Sequence, residues 1–241
     1  MTTARADTAT RNKTRRRWFQ FSLRALLVAT VVVGFGSAWT GMEIKRGLDR
    51  RKVAYAFKEA GASVQFGNSS SETRLSSWLR SLLGVAESPD VVAIGGYGAN
   101  VGDVEVSHLY GQTGLLWLDL SHTEVTDEGV SHLTSLTKLE WLGLKDTEVT
   151  DDGVSHLRKL KNLDSLWLDN TQVTDKGLSH LRGLTQLQVL GLSGTQVTDA
   201  GLKHLHGMTR LESLSIGDTQ ISEAGVAKLK KALPNVTVQG K

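Results

Sequence analysis

The feature that most constrains this chain is a period. Leu115 to Lys138 is a 24-residue unit, and its Leu-x-x-Leu-x-Leu opening (Leu115, Leu118, Leu120) restarts at Leu139, Leu163, Leu187 and Leu211, the last ending in Ile216. Inside each unit the phrase Val-Thr-Asp-x-Gly follows, at Val125 to Gly129, Val149 to Gly153, Val173 to Gly177 and Val197 to Gly201, with Ile221 to Gly225 as a conservative fifth copy. A period of this length means that each unit is one supersecondary element stacked on its neighbours, which is a solenoid.

The chemistry of one unit shows why it repeats. Leu118 and Leu120 share one side of a short strand and Asp119 takes the other, as strand alternation requires. Thr126 is placed to cap the next helix while Asp127 meets its positive end, and Val130, Leu133 and Leu136 give that helix an apolar stripe. One strand and one helix cannot close a core, but stacking does, with strands about 4.8 Å apart in a parallel sheet and helices outside. The expected fold is therefore α/β: a solenoid with a short parallel sheet on its concave face and helices on its convex face.

The ends of the array are weaker copies. Val91, Ile94, Val101, Asp103, Val106, Ser107, His108 and Leu109 precede Leu115, Leu118, Val125, Asp127, Val130, Ser131, His132 and Leu133 by 24 residues, making about six coils over residues 91–238. Pro234 ends the last helix and Val236 to Val238 can add a closing strand. Upstream, Glu43 to Ala60 reads as a charged helix ended by Gly61, followed by a strand at Ser63 to Phe66 and a polar turn at Asn68 to Ser71. Leu75, Trp78, Leu79, Leu82 and Leu83 make one apolar helix face, the expected cap over the first coil.

These leucine frames and the T-D-x-G-L phrase resemble the leucine-rich-repeat family. Within it they are similar to repeats of bacterial membrane-anchored proteins and, with Thr where those carry Cys, to F-box-associated repeat proteins. The resemblance covers roughly residues 91 to 238 and implies the fold; a non-enzymatic protein-interaction module is the function expected from the outward residues described below. The chain has no cysteine and no recognisable F-box segment, so an F-box adaptor role is not carried over.

Charge divides the chain in two. Residues 1–52 hold 12 Lys and Arg against 3 acids, and residues 53–241 hold 16 against 22. The pI near 9.1 thus belongs to the tail, and an acidic solenoid is a poor nucleic-acid partner. With no cysteine, disulfides and thiolate metal sites are excluded. Residues 1–22 read as a basic cytoplasmic tail, 23–42 as a transmembrane helix and 43–90 as a juxtamembrane helix and cap. The run from Ala25 to Met42 holds no charge for eighteen residues, near the lower limit for a bilayer span, with aromatic residues at both ends. A cleaved signal peptide is the rival reading, on a weak Gly36-x-Ala38 site. Seven Lys or Arg precede the span and six follow by Lys58, so the Arg15 to Arg17 cluster decides the orientation: N-terminus cytoplasmic, repeats on the outer, periplasmic side. Gly34 and Ala38 form a small-xxx-small pair of the kind that packs two such helices, but such pairs are frequent in membrane helices and an ordinary glycine-tolerant span is the expected account.

Three sets of residues invite a chemical reading. His108, His132, His156, His180 and His204 recur every 24 residues, but helices about 8 to 10 Å apart hold such side chains too far from one another to share a zinc ion at about 2.0 to 2.1 Å; hydrogen bonding at the coil edge is the expected role. Thr123, Thr147, Thr171, Thr195 and Thr219 are placed to bond backbone groups where the chain leaves each strand. No catalytic triad, phosphate loop or cofactor signature stands out from the repeat. What departs from the consensus is on the strands, whose third, fifth and seventh positions face outward. Trp117 and Trp141 share a column, Trp167 lies one column over, and Tyr97, Asp119, Lys145 and Asp169 adjoin them. Cross-strand packing would stabilise the sheet, whereas indoles rimmed by charge are the composition of a protein-binding hot spot. Stacked tryptophans also suit sugar faces, so a carbohydrate-binding envelope protein is the second expectation and a purely structural repeat the third.

Overall fold

The computed structural model describes residues 49–67 and 90–240. The basic tail, the predicted span over 23–42, the polar turn at Asn68 to Ser71 and the predicted cap helix around Leu75 to Leu83 lie outside the described residues. Among the described residues, no helix is long and apolar enough to cross a membrane.

Among the described residues eight strands form one sheet in sequence order. They are β1 (Ser63–Gly67), β2 (Asp90–Gly95), β3 (Trp117–Asp119), β4 (Trp141–Gly143), β5 (Ser165–Trp167), β6 (Val189–Gly191), β7 (Ser213–Ser215) and β8 (Thr237–Gln239). From β2 to β8 every pairing is parallel and in register, so Leu118, Leu142, Leu166, Leu190 and Leu214 line one row. All five are fully buried. The return side of each coil is a short α-helix, a 3-10 turn or both. Its α-helices are α2 (Asp103–Ser107), α3 (Asp127–Ser131), α4 (Asp151–His156), α5 (Asp175–Leu181) and α6 (Glu223–Ala232), while the fifth coil turns back on a 3-10 helix at Leu202–Leu205. Val130, Leu133 and Leu136 point into the core as their spacing predicts. This is the expected parallel sheet with helical returns.

The first coil is covered by a helix the sequence presents as merely charged. Helix α1, described over residues 49–59, drives Val53 and Phe57, one turn apart, fully into the same core as Ile94 and Leu118. It ends on a Schellman motif: the Ala62 N–H donates to Phe57 O (2.8 Å), the Gly61 N–H donates to Lys58 O (3.1 Å), and Gly61 sits at φ +89°. Strand β1 then runs antiparallel to β2, with its register shifted between Gln65 and Phe66. Covering of the first coil, expected of Leu75 to Leu83, is therefore supplied among the described residues by α1 and β1. At the other end α6 stops at Ala232 ahead of Pro234, and β8 adds the closing strand.

The Val-Thr-Asp-x-Gly phrase is a staple between coils. The Thr126 hydroxyl caps α3 by accepting from the Glu128 N–H (3.2 Å), as expected. The aspartates do more than sit at helix starts, because each reaches the next coil. Asp127 accepts from the Thr150 N–H (2.8 Å) and the Thr150 hydroxyl (2.6 Å). The pattern recurs from Asp103 to Thr126, Asp151 to Thr174, Asp175 to Thr198 and Asp199 to Ser222. The glycine of the phrase makes room for that carboxylate: a Cβ on Gly153 would collide with Asp127 Oδ1, and one on Gly177 would lie 2.5 Å from Asp151 Oδ1. The buried threonine column behaves as expected, with Thr123, Thr147, Thr171 and Thr195 donating to Leu120, Leu144, Leu168 and Leu192 carbonyls at 2.6–2.7 Å.

Candidate functional site on the sheet face

The row of core leucines fixes which residues face outward. Between them lie two outward columns, one running Ala93, Trp117, Trp141, Ser165, Val189, Ser213 and the other Gly95, Asp119, Gly143, Trp167, Gly191, Ser215. The Trp117 and Trp141 rings stack at 4.6 Å between centroids and 20° between planes. Trp167 sits beside Gly143, one column over, as the spacing predicts.

The indoles are half-buried, less open than exposed strand positions would leave them, because the second column is rich in glycine. A Cβ on Gly143 would lie 2.8 Å from Trp141 Cη2, one on Gly191 2.7 Å from Trp167 Cε3, and one on Gly95 3.6 Å from Trp117 Cζ3. Each ring therefore leans over bare backbone and covers it, an aromatic shield for a strand glycine. Two polar atoms beneath this cover have no partner: Trp167 Nε1 and Asp169 Oδ2. Asp169 is only 7% exposed, with Oδ1 accepting from the Ser193 N–H (2.9 Å). Asp119 makes the matching turn within its own coil, accepting from the Ser121 N–H (3.0 Å). An unpaired buried donor or acceptor costs about 1–3 kcal/mol, so these two atoms mark a place where the face is not optimised for folding.

The remaining candidates sit at the strand exits. Tyr97 is 65% exposed, and its ring packs edge-on against His122 at 4.5 Å and not against the stacked tryptophans. Lys145 is exposed, 4.0 Å from Asp146 Oδ2. These contacts belong to a column that the leucine frame conceals. Gly98, His122, Asp146, Asn170, Gly194 and Asp218 all have φ between +53° and +70°, one per coil at 24-residue spacing. They are drawn from the residue types that tolerate the left-handed region. Along this column His122 Nε2 lies 3.3 Å from Asp146 Oδ2, and the Asn170 side-chain amide donates to Asp146 Oδ1 (2.7 Å). The recurrence of Gly, Asn, Asp and His two residues after each frame's last leucine or isoleucine is the signal that could have revealed it.

The histidine ladder on the return side behaves differently from its expectation. Among the described residues none of its five imidazoles makes a side-chain hydrogen bond, and no group of three potential ligands gathers around a metal position. His204 is held below the usual histidine range by desolvation first, and then by Arg182 and Lys203.

A family model described as a leucine-rich repeat matches residues 115–134, which run from the frame leading into β3 through α3 and into the turn that follows. Among solved structures the chain is similar to internalin C2 of Listeria monocytogenes, at 24% identity over 68% of this chain and 92% of that one, with a TM-score of 0.46. It is also similar to a leucine-rich-repeat protein of Leptospira interrogans (25% identity, 56% and 33% covered, TM-score 0.45) and to internalin F of Listeria monocytogenes (22%, 58% and 51%, 0.37). No curated protein matches the chain. The frame matched at residues 115–134 recurs in register through β7, each copy burying its leucines in one continuous core, so the segment similar to a leucine-rich repeat is one of a stack of like units.

Proposed function

We propose that this chain is a membrane-anchored, non-enzymatic recognition module that binds a protein partner through the sheet face centred on Trp117, Trp141 and Trp167. Asp119 lies beside the indoles in the column of Trp167, while Tyr97, Lys145 and the buried Asp169 follow in the next column at the strand exits, with Tyr97 and Lys145 as the exposed rim. The observation that carries this reading is the concentration of aromatic and charged outward side chains on β3 to β5 and their exits, where β6, β7 and their exits offer Val189, Gly191, Ser193, Ser213 and Ser215. A cluster of semi-rigid aromatics with charge at its edge is the composition of an interface hot spot. The protein reading is favoured over a carbohydrate because Trp117 and Trp141 spend their facing surfaces on each other, leaving little flat indole for a sugar ring.

Anchoring rests on the uncharged run before Met42, with the N-terminus cytoplasmic and the repeats outside. The full chain should resist carbonate extraction from membranes, and protease added outside the inner membrane should digest the repeats. Recovery of a soluble mature chain beginning near Trp39 would show cleavage instead. For the face itself, immobilised wild-type chain and a Trp141→Ala variant should be challenged with envelope proteins and with a glycan panel. Loss of a discrete protein partner on substitution supports the proposal, and retention of glycans alone refutes it.

A further inference from the structure

The six exposed large hydrophobic side chains among the described residues are Tyr55, Phe66, Tyr97, Val104, Tyr110 and Leu116, all in the N-terminal cap, the first coil and the start of the second, with none beyond Leu116. Helix α1 makes the asymmetry chemical. Its inner face buries Val53 and Phe57, while Arg51, Lys52, Tyr55, Lys58 and Glu59, which fall together on the opposite side, are exposed, the Tyr55 hydroxyl hydrogen-bonded to Glu59 and the three cations outnumbering the one acid. The described coils are acidic, residues 90–240 holding 12 Lys and Arg against 19 Asp and Glu, so this basic, aromatic surface is of opposite sign to the body it covers. Only six residues, 43–48, separate Met42 from the first described residue of α1. At no more than about 3.6 Å per residue they reach roughly 20 Å.

From this placement we infer that the outer face of α1 rests on an anionic bilayer surface, seating the N-terminal end of the solenoid on the membrane. Cations with a neighbouring tyrosine suit the headgroup layer: Lys and Arg pair with lipid phosphates, and the phenol takes the interfacial position its amphipathic ring prefers. The partner-binding face on β3 to β5 would then stand one to three coils above the bilayer. The inference rests on the anchoring reading, and its test separates the two.

The full chain is reconstituted into nanodiscs of phosphatidylcholine alone or of phosphatidylcholine with phosphatidylglycerol, and lysine acetylation is followed residue by residue. Lys203 and Lys228, exposed on the return side, serve as internal references. Docking predicts that Lys52 and Lys58 react at least about fivefold more slowly on the anionic discs, and that Arg51→Glu weakens this protection by a similar factor. Equal reactivity on both discs with the chain still embedded overturns the docking and leaves the anchor standing. Equally low reactivity on both discs and in detergent means that the chain itself covers α1, which also overturns it. If the chain does not embed, its sedimentation with phosphatidylglycerol vesicles is measured: Arg51-dependent sedimentation keeps the docking and removes the anchor, and no sedimentation removes both.

Discussion

The return side and the sheet face are built on the same 24-residue frame, yet they hold different kinds of information. On the return side the same atoms meet in every coil: an aspartate takes the backbone N–H and hydroxyl of the next coil's threonine or serine over a glycine that leaves it room. On the sheet face the columns change from coil to coil, from paired tryptophans on β3 and β4 to valine and serine on β6 and β7. Repetition therefore marks what stacking demands, and variation marks positions that folding leaves to be chosen. This holds for Ser and Asp as well, which recur as if catalytic but bond backbone groups within and between coils.

The comparison breaks most readily in the core. Leu142→Ala, in a fully buried row flanked by coils on both sides, should cost roughly 2–5 kcal/mol, and nearest-neighbour coupling should spread the loss along the stack. Chemical denaturation of the variant measures it, and a loss below 1 kcal/mol on the scale of a surface change would mean that the stack is loosely packed. Asp151→Ala should cost less, about 1–3 kcal/mol, by stripping partners from the Thr174 and Gly177 N–H groups; slowed stacking would appear as faster amide exchange at those two residues. Smaller again is the left-handed column. Asp218, exposed at φ +53°, should tolerate Gly with little change, whereas Val there should lower stability by about 1–2 kcal/mol, a difference that paired thermal melts would resolve.

How much of this was legible follows from the same division. Leu118 and Leu142 announce their burial because a solenoid core must repeat, and the register of Trp117 on Trp141 follows from counting 24. The cap was less legible: Val53 and Phe57 are too few to make an apolar stripe among Asp49, Arg50, Arg51, Lys52, Lys58 and Glu59, and only the stacked first coil shows what they cover. The aspartate staple was half-visible, since a helix start explains Asp127 locally, while its bond to Thr150 crosses between coils. The half-burial of the indoles depended on glycines in a neighbouring column, a contact no single strand reveals. Asp169 reads as a rim charge, but it is buried, its carboxylate and the Trp167 ring both closing on the bare backbone of Gly191.

The central claim is that the varied face serves recognition and not folding, and Trp141 beside Leu142 tests it most directly. Thermal melts and retention of a protein partner are measured on Trp141→Ala, Leu142→Ala and the parent chain. Trp141→Ala should lose only about 1 kcal/mol or less of stability, the contribution of one cross-strand aromatic pair, yet lose its partner. A Trp141→Ala variant that melts as badly as Leu142→Ala, or that keeps the partner undiminished, would place the tryptophans with the fold and contradict the account.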